Sequence, residues 1–131
     1  MGLDMYLTGE VFFTYDHPNR TKKPHAIKQT EYDLGYWRKH PNLHGYIVDN
    51  FADGEDKCQR IDLTEEQLEQ LIKACEGDGS DFKTTTGFFF GASDDTPEER
   101  AQDAKIFKDA LKWLRKGQKG VWKSVAYQAS W

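Results

Sequence analysis

Residues 31–51 read EYDLGYWRKHPNLHGYIVDNF and put Tyr36, Trp37, Arg38, Lys39, His40 and His44 within nine residues. Those residue types suit recognition of an anion. Arginine offers a planar, two-pronged donor to phosphate or carboxylate, and lysine adds a compact positive charge. A neighbouring tyrosine or tryptophan can stack on a base or wall a pocket. The plain alternative is structural, with Trp37 anchoring a core and Arg38 and Lys39 in water. His40 and His44 have the four-residue spacing of paired ligands on a helix. Pro41 falls between them and no HExxH pattern completes a site, so no metal is expected. His44 is the candidate general acid or base, although no nucleophile accompanies it.

The closing VAYQASW offers a second set of polar groups. Strand alternation puts Val125, Tyr127, Ala129 and Trp131 on one face, and Gln128 and Ser130 on the other with Trp122 and Ser124. Gln128 and Ser130 are candidate lining for a polar pocket. The expected ligand-binding set is therefore Tyr36, Trp37, Arg38, Lys39, His44, Gln128 and Ser130. Asp4 lies inside an apolar strand and, if buried, needs a partner such as Arg38 or His44. TTTGFFFGAS, residues 84–93, has two glycines but neither the GxxxxGK[ST] nor the GxGxxG spacing, so it carries no phosphate-loop signature and reads as a buried strand.

Several elements must position these groups. LDMYLTGEVFFTY, residues 3–15, alternates apolar and polar like a strand, and residues 16–25 read as a loop. Residues 31–39 read as a helix that Pro41 interrupts, with Pro41 opening a second helical segment whose stripe is Leu43, Ile47, Val48 and Phe51. Residues 58–63 read as a short strand. Thr64 and Gln67 frame a capping box for a helix with Leu68, Leu71, Ile72 and Cys75 on one face. Thr96, Pro97 and Glu99 open another helix, whose inner stripe is Ala104, Phe107, Leu111 and Leu114. The expected fold is α+β, a single-layer, mostly antiparallel sheet of about four strands with three helices packed on it. It is one domain over residues 1–131, since no linker or repeat divides the chain.

Composition narrows the function classes. The 131 residues carry a formal net charge of −4, which argues against a general nucleic-acid coat. Residues 53–78 hold nine acids and three bases, whereas residues 105–123 hold seven bases and one acid. Cys58 and Cys75 form no disulfide framework or metal signature, and both fall where a buried free thiol would fit in a reducing cytosol. No run of 18 apolar residues spans a membrane, and the opening MGLDMYLTGE lacks the basic and apolar regions of a secretion signal.

Four stretches taken together carry a resemblance. They are the opening MGLDMYL, the YWRK of residues 36–39 followed by Asn42 and His44, the GFFFG of residues 87–91, and the closing YQ-S-W. The set resembles a family of small uncharacterised proteins of bacteriophage and prophage genomes, over nearly the whole chain. The chain departs from the pattern by carrying His40-Pro41 ahead of Asn42, which argues against one continuous helix there. The resemblance implies an accessory protein made in the cytoplasm of a bacterial host, and it transfers no catalytic residues.

The resulting expectation is a phage-associated protein that binds an anionic small molecule, with a nucleotide signal of the host's defences as the leading class. No cofactor is expected. The alternatives are a nucleotide- or ester-processing enzyme using His44, and an inhibitor that docks on a host protein through its acidic or its basic face.

Overall fold

The computed structural model describes residues 3–14, 17–18, 20, 26–82, 96–117 and 119–131. The chain runs β1 (Asp4–Phe13), β2 (Gln29–Arg38), α1 (Pro41–Phe51), β3 (Ile61–Leu63), α2 (Glu65–Glu76), α3 (Pro97–Arg115) and β4 (Val121–Ser130). The expected strand at residues 84–93, and most of the expected loop at residues 16–25, lie outside the described residues.

The fold is α+β. Its four strands form one sheet in the order β2-β1-β4-β3, and every neighbouring pair is antiparallel. Leu3, Met5 and Leu7 on β1 and Val125, Tyr127 and Ala129 on β4 share one buried face. There they pack with Leu43 and Ile47 of α1, Leu68 and Leu71 of α2, and Phe107 and Leu111 of α3. That strict alternation is what a sheet with helices on one face requires. The opposite face carries Tyr6, Phe12, Tyr36 and the largely exposed Trp122.

One sequence expectation is overturned. Residues 31–39 are not a helix but the body of β2, antiparallel to β1 from Asp4↔Arg38 to Phe12↔Gln29. A helix there would leave the backbone groups on that edge of β1 without partners. The misleading signal has a local cause. The register slips between Leu7 and Thr8, which pair with Gly35 and Asp33, so Leu34 is an extra residue in β2. Leu34 and Trp37 both reach the core at a spacing of three, which imitates a helix.

The helices form as their caps direct. Thr64 accepts from the Gln67 backbone N–H at 3.2 Å, and the Gln67 side chain accepts from the Thr64 N–H at 2.9 Å. Thr96 accepts from the Glu99 N–H at 3.1 Å, with Pro97 at the first turn, where its missing donor costs nothing. Pro41 opens α1 for the same reason. Among the described residues, no helix is long and apolar enough to cross a membrane.

Candidate functional site

At the free edge of β2 the chain turns sharply into α1. Lys39 makes the turn in the left-handed region, at φ 55°, and its backbone N–H donates to the Leu3 carbonyl at 2.8 Å. A non-glycine residue seldom adopts that conformation without a reason in the surrounding structure. Here the turn aims His40 back beneath the first turns of α3.

The imidazole of His40 meets two carboxylates of that helix. Its Nε2 lies 2.7 Å from Asp103 Oδ2 and 2.8 Å from Glu99 Oε1. The other oxygen of Asp103 accepts from the indole Nε1–H of Trp37 at 2.7 Å. Glu99 and Asp103 are four apart on α3, so one helical face presents both. His40 and Asp103 are buried, and Glu99 is partly buried.

This cluster borders a cleft of about 400 Å³ between the end of β2 and the N-terminal half of α3. Tyr36, Arg38 and Lys39 line it from the strand side, and Glu98, Glu99 and Gln102 from the helix side. Arg38 is 62% exposed, with its Nε 3.9 Å from Asp4 Oδ1. Asp4 also accepts from the Tyr36 hydroxyl at 2.7 Å, which pushes the Tyr36 phenol pKa up because ionisation would break that bond and set two anions together. Asp4 thus has Arg38 as a partner, one of the two foreseen. A hollow of about 500 Å³ between α1 and α2 is larger, but it is lined by neither histidine nor arginine, and its Tyr46 hydroxyl is engaged by Gln70 at 3.0 Å.

The structure separates the seven sequence candidates. Tyr36, Arg38 and Lys39 share the cleft. Trp37 touches it only at an edge, since the residue is 8% exposed and its ring stacks on Phe107 at 5.4 Å. Gln128 and Ser130 lie on the solvent face, in rows with the cleft residues: Tyr36, Tyr6 and Gln128 are register neighbours, as are Arg38, Asp4 and Ser130. Gln128 already donates to the Cys58 carbonyl at 2.9 Å.

His44 belongs elsewhere. It is 3% exposed on α1, and its Nδ1 lies 2.6 Å from the Tyr127 hydroxyl. Its Nε2 lies 3.0 Å from both oxygens of Asp56. The consistent assignment has Nε2–H donating to Asp56 and Nδ1 accepting from the phenol. That triad clamps α1 to β4 and to the loop before β3. The pocket expected between a broken helix and the closing strand is therefore replaced by the cleft at the β2 edge.

Sequence reasoning missed Glu99 as a partner of His40, and missed Asp103 altogether. Their four-residue spacing on a capped helix was visible, but nothing in the sequence ties them to a histidine some 60 residues earlier. The cysteines also differ from expectation. Cys75 is buried and its thiol is pushed up to about 12, chiefly by burial, whereas Cys58 is only partly buried and sits at φ 57°.

Fold and cleft together define a small α+β domain with a mixed-charge cleft at a sheet edge. No family model, curated protein or solved structure matches the chain.

Proposed function

We propose that this protein binds a small anionic molecule in the cleft at the β2 edge, and that a nucleotide is the class that suits the cleft best. The observation behind this reading is the mixed lining: Tyr36, Arg38 and Lys39 on one wall, and Glu98, Glu99 and Gln102 on the other. A bare anion would meet repulsion from the acidic wall. A nucleotide offers phosphate to Arg38 and Lys39, and ribose hydroxyls or an exocyclic amine to the acidic wall. The half-exposed Tyr36 ring is the stacking surface, in place of the buried Trp37. Arg38 can turn to a phosphate, because its exposed pairing with Asp4 is worth only about 0–1 kcal/mol. The resemblance to phage and prophage proteins supports an accessory role in a bacterial cell, in which holding a host nucleotide signal is the purpose. The enzymatic alternative through His44 loses support, since substrate could reach that ring only if α1 opened.

A specific observation favours a second seat for the same ligand class. A hollow of about 570 Å³ is lined by Tyr32, Trp113, His17, Lys116 and Lys123, with no carboxylate in the lining among the described residues. Isothermal titration with a panel of linear and cyclic nucleotides, on the full chain and on two variants, separates the two seats. Arg38→Ala should weaken binding by about 10–150-fold, the cost of losing a charge-assisted contact, with little change in melting temperature. Loss of binding in Lys116→Ala but not in Arg38→Ala would move the site to the second hollow. Absence of binding across the panel would remove the nucleotide reading.

A further inference from the structure

We infer that His40, Glu99 and Asp103 form a binding site for a divalent first-row metal ion in the manganese-to-zinc range, with its open coordination positions facing the cleft. The inference rests on the geometry of the cluster and not on the ligand reading above.

The three groups come from two elements far apart in sequence, yet one ligand atom from each lies within 4.8 Å of the other two. A single ring nitrogen, His40 Nε2, stands 2.7 Å from one carboxylate oxygen and 2.8 Å from another. As a hydrogen-bond donor, Nε2 has one proton and cannot serve both oxygens at full strength. A divalent ion can serve all three atoms together. Bonds of about 2.0–2.2 Å to nitrogen and carboxylate oxygen put adjacent ligand atoms about 3.0–3.5 Å apart, from octahedral to tetrahedral geometry, so the two short His40–carboxylate distances need to widen by roughly half an ångström. One imidazole and two carboxylates are a mixed donor set suited to manganese, iron or zinc rather than to a soft, thiolate-seeking ion. Three protein ligands leave positions free for water or a bound molecule, as in open metal sites.

The supporting shell is also present. The Trp37 indole N–H holds the oxygen of Asp103 that does not face His40, at 2.7 Å, which fixes the carboxylate's orientation as outer partners do for metal ligands. Trp37 is immobilised in turn by Phe107, and Lys39 holds the backbone turn that aims His40. With an ion in place, the acidic floor of the cleft becomes attractive to an anion.

The test uses the full chain, stripped with a chelator and titrated separately with Zn²⁺, Co²⁺ and Mn²⁺. Saturable binding of one ion per chain is expected. Mn²⁺ should broaden the Trp37 indole N–H resonance before those of the other tryptophans. Glu99→Gln and His40→Gln should each weaken the metal by about 100-fold or more, since loss of an outer partner alone costs about 10–100-fold. Trp37→Phe should weaken it by about 10-fold or more for that same reason. Should His40→Gln fail to fold, Glu99→Gln decides, because that side chain is at the cluster's outer edge. The inference is overturned if the stripped chain shows no saturable binding, if Glu99→Gln binds as tightly as the parent, or if broadening centres away from Trp37.

Discussion

Trp37 and Arg38 are adjacent in sequence and have opposite fates, because successive strand residues point to opposite faces. Trp37 stacks on Phe107 and donates to Asp103 in the interior, while Arg38 lies in water beside Asp4. Trp37→Ala should cost about 3–5 kcal/mol, enough to unfold a marginal domain. Trp37→Phe keeps most of the ring and removes the donor, so it should cost about 1–3 kcal/mol from the unpaired Asp103 oxygen. Arg38→Ala should stay within about 0.5 kcal/mol of the parent. Urea denaturation of the three variants measures all of this. A severe loss in Arg38→Ala would mean that its pairing with Asp4 is structural. The thiols divide in the same way. Because burial holds the Cys75 thiol neutral at pH 8, Ellman's reagent should modify Cys58 readily and reach Cys75 only on unfolding. Equal labelling rates in the native state would contradict that burial.

At the scale of elements, α3 sits so close to the sheet that two glycines are needed beneath it. A Cβ on Gly35 would come within 2.7 Å of Ile106 Cγ2, and one on Gly9 within 2.7 Å of the Trp113 ring. Neither neighbour is the loose end of a flexible chain, so the helix would have to lift. Gly35→Ala should destabilise by about 1–3 kcal/mol through overpacking, although alanine is otherwise the better-tolerated residue. Thr64→Ala, which removes a capping-box side chain from α2, should cost about 1 kcal/mol. If Gly35→Ala matched or exceeded the parent's stability in thermal melts, α3 would not press on β2 as described.

The whole molecule responds to pH through the buried Tyr127 phenol and the partly buried Tyr46 phenol. Burial of Tyr127, reinforced by the nearby Asp56 carboxylate, raises its pKa well above that of a free tyrosine. Partial burial raises Tyr46 as well. An unfolded chain ionises its tyrosines near pH 10, whereas the folded chain keeps Tyr127 neutral. Stability from this source is therefore complete below about pH 10 and falls as the pH climbs past it. Urea midpoints should drop steeply between pH 9.5 and pH 11.5, windows set by the ordinary tyrosine value of about 10. Tyr127→Phe should start lower at pH 7, having lost the bond to His44, and decline less steeply. An identical slope in the variant would show that other groups govern alkaline unfolding.

What could be read from the sequence alone was whatever is encoded locally. The alternation in Leu3, Met5 and Leu7, the alternation in Val125, Tyr127 and Ala129, and the capping signals at Thr64 and Thr96 each involve residues a few positions apart, and each element formed where expected. The single-layer antiparallel sheet followed from one-sided alternation. Local reasoning failed at residues 31–39, because a bulge at Leu34 gave strand residues a helical spacing and because the need of β1 for a partner is not a local property. The cleft was half legible. Tyr36, Arg38 and Lys39 belong together because they are consecutive or nearly so, but which of Trp37, His40 and His44 would join them depended on directions set by β2 and α1. Only the tertiary structure decided that His40 turns under α3 to meet Glu99 and Asp103, while His44, one helical turn further on, is locked against Tyr127 and Asp56. The physical reason is that a side chain's chemistry depends on its neighbours in space, and those neighbours are brought in by backbone pairing and core packing across some 60 to 80 residues of chain.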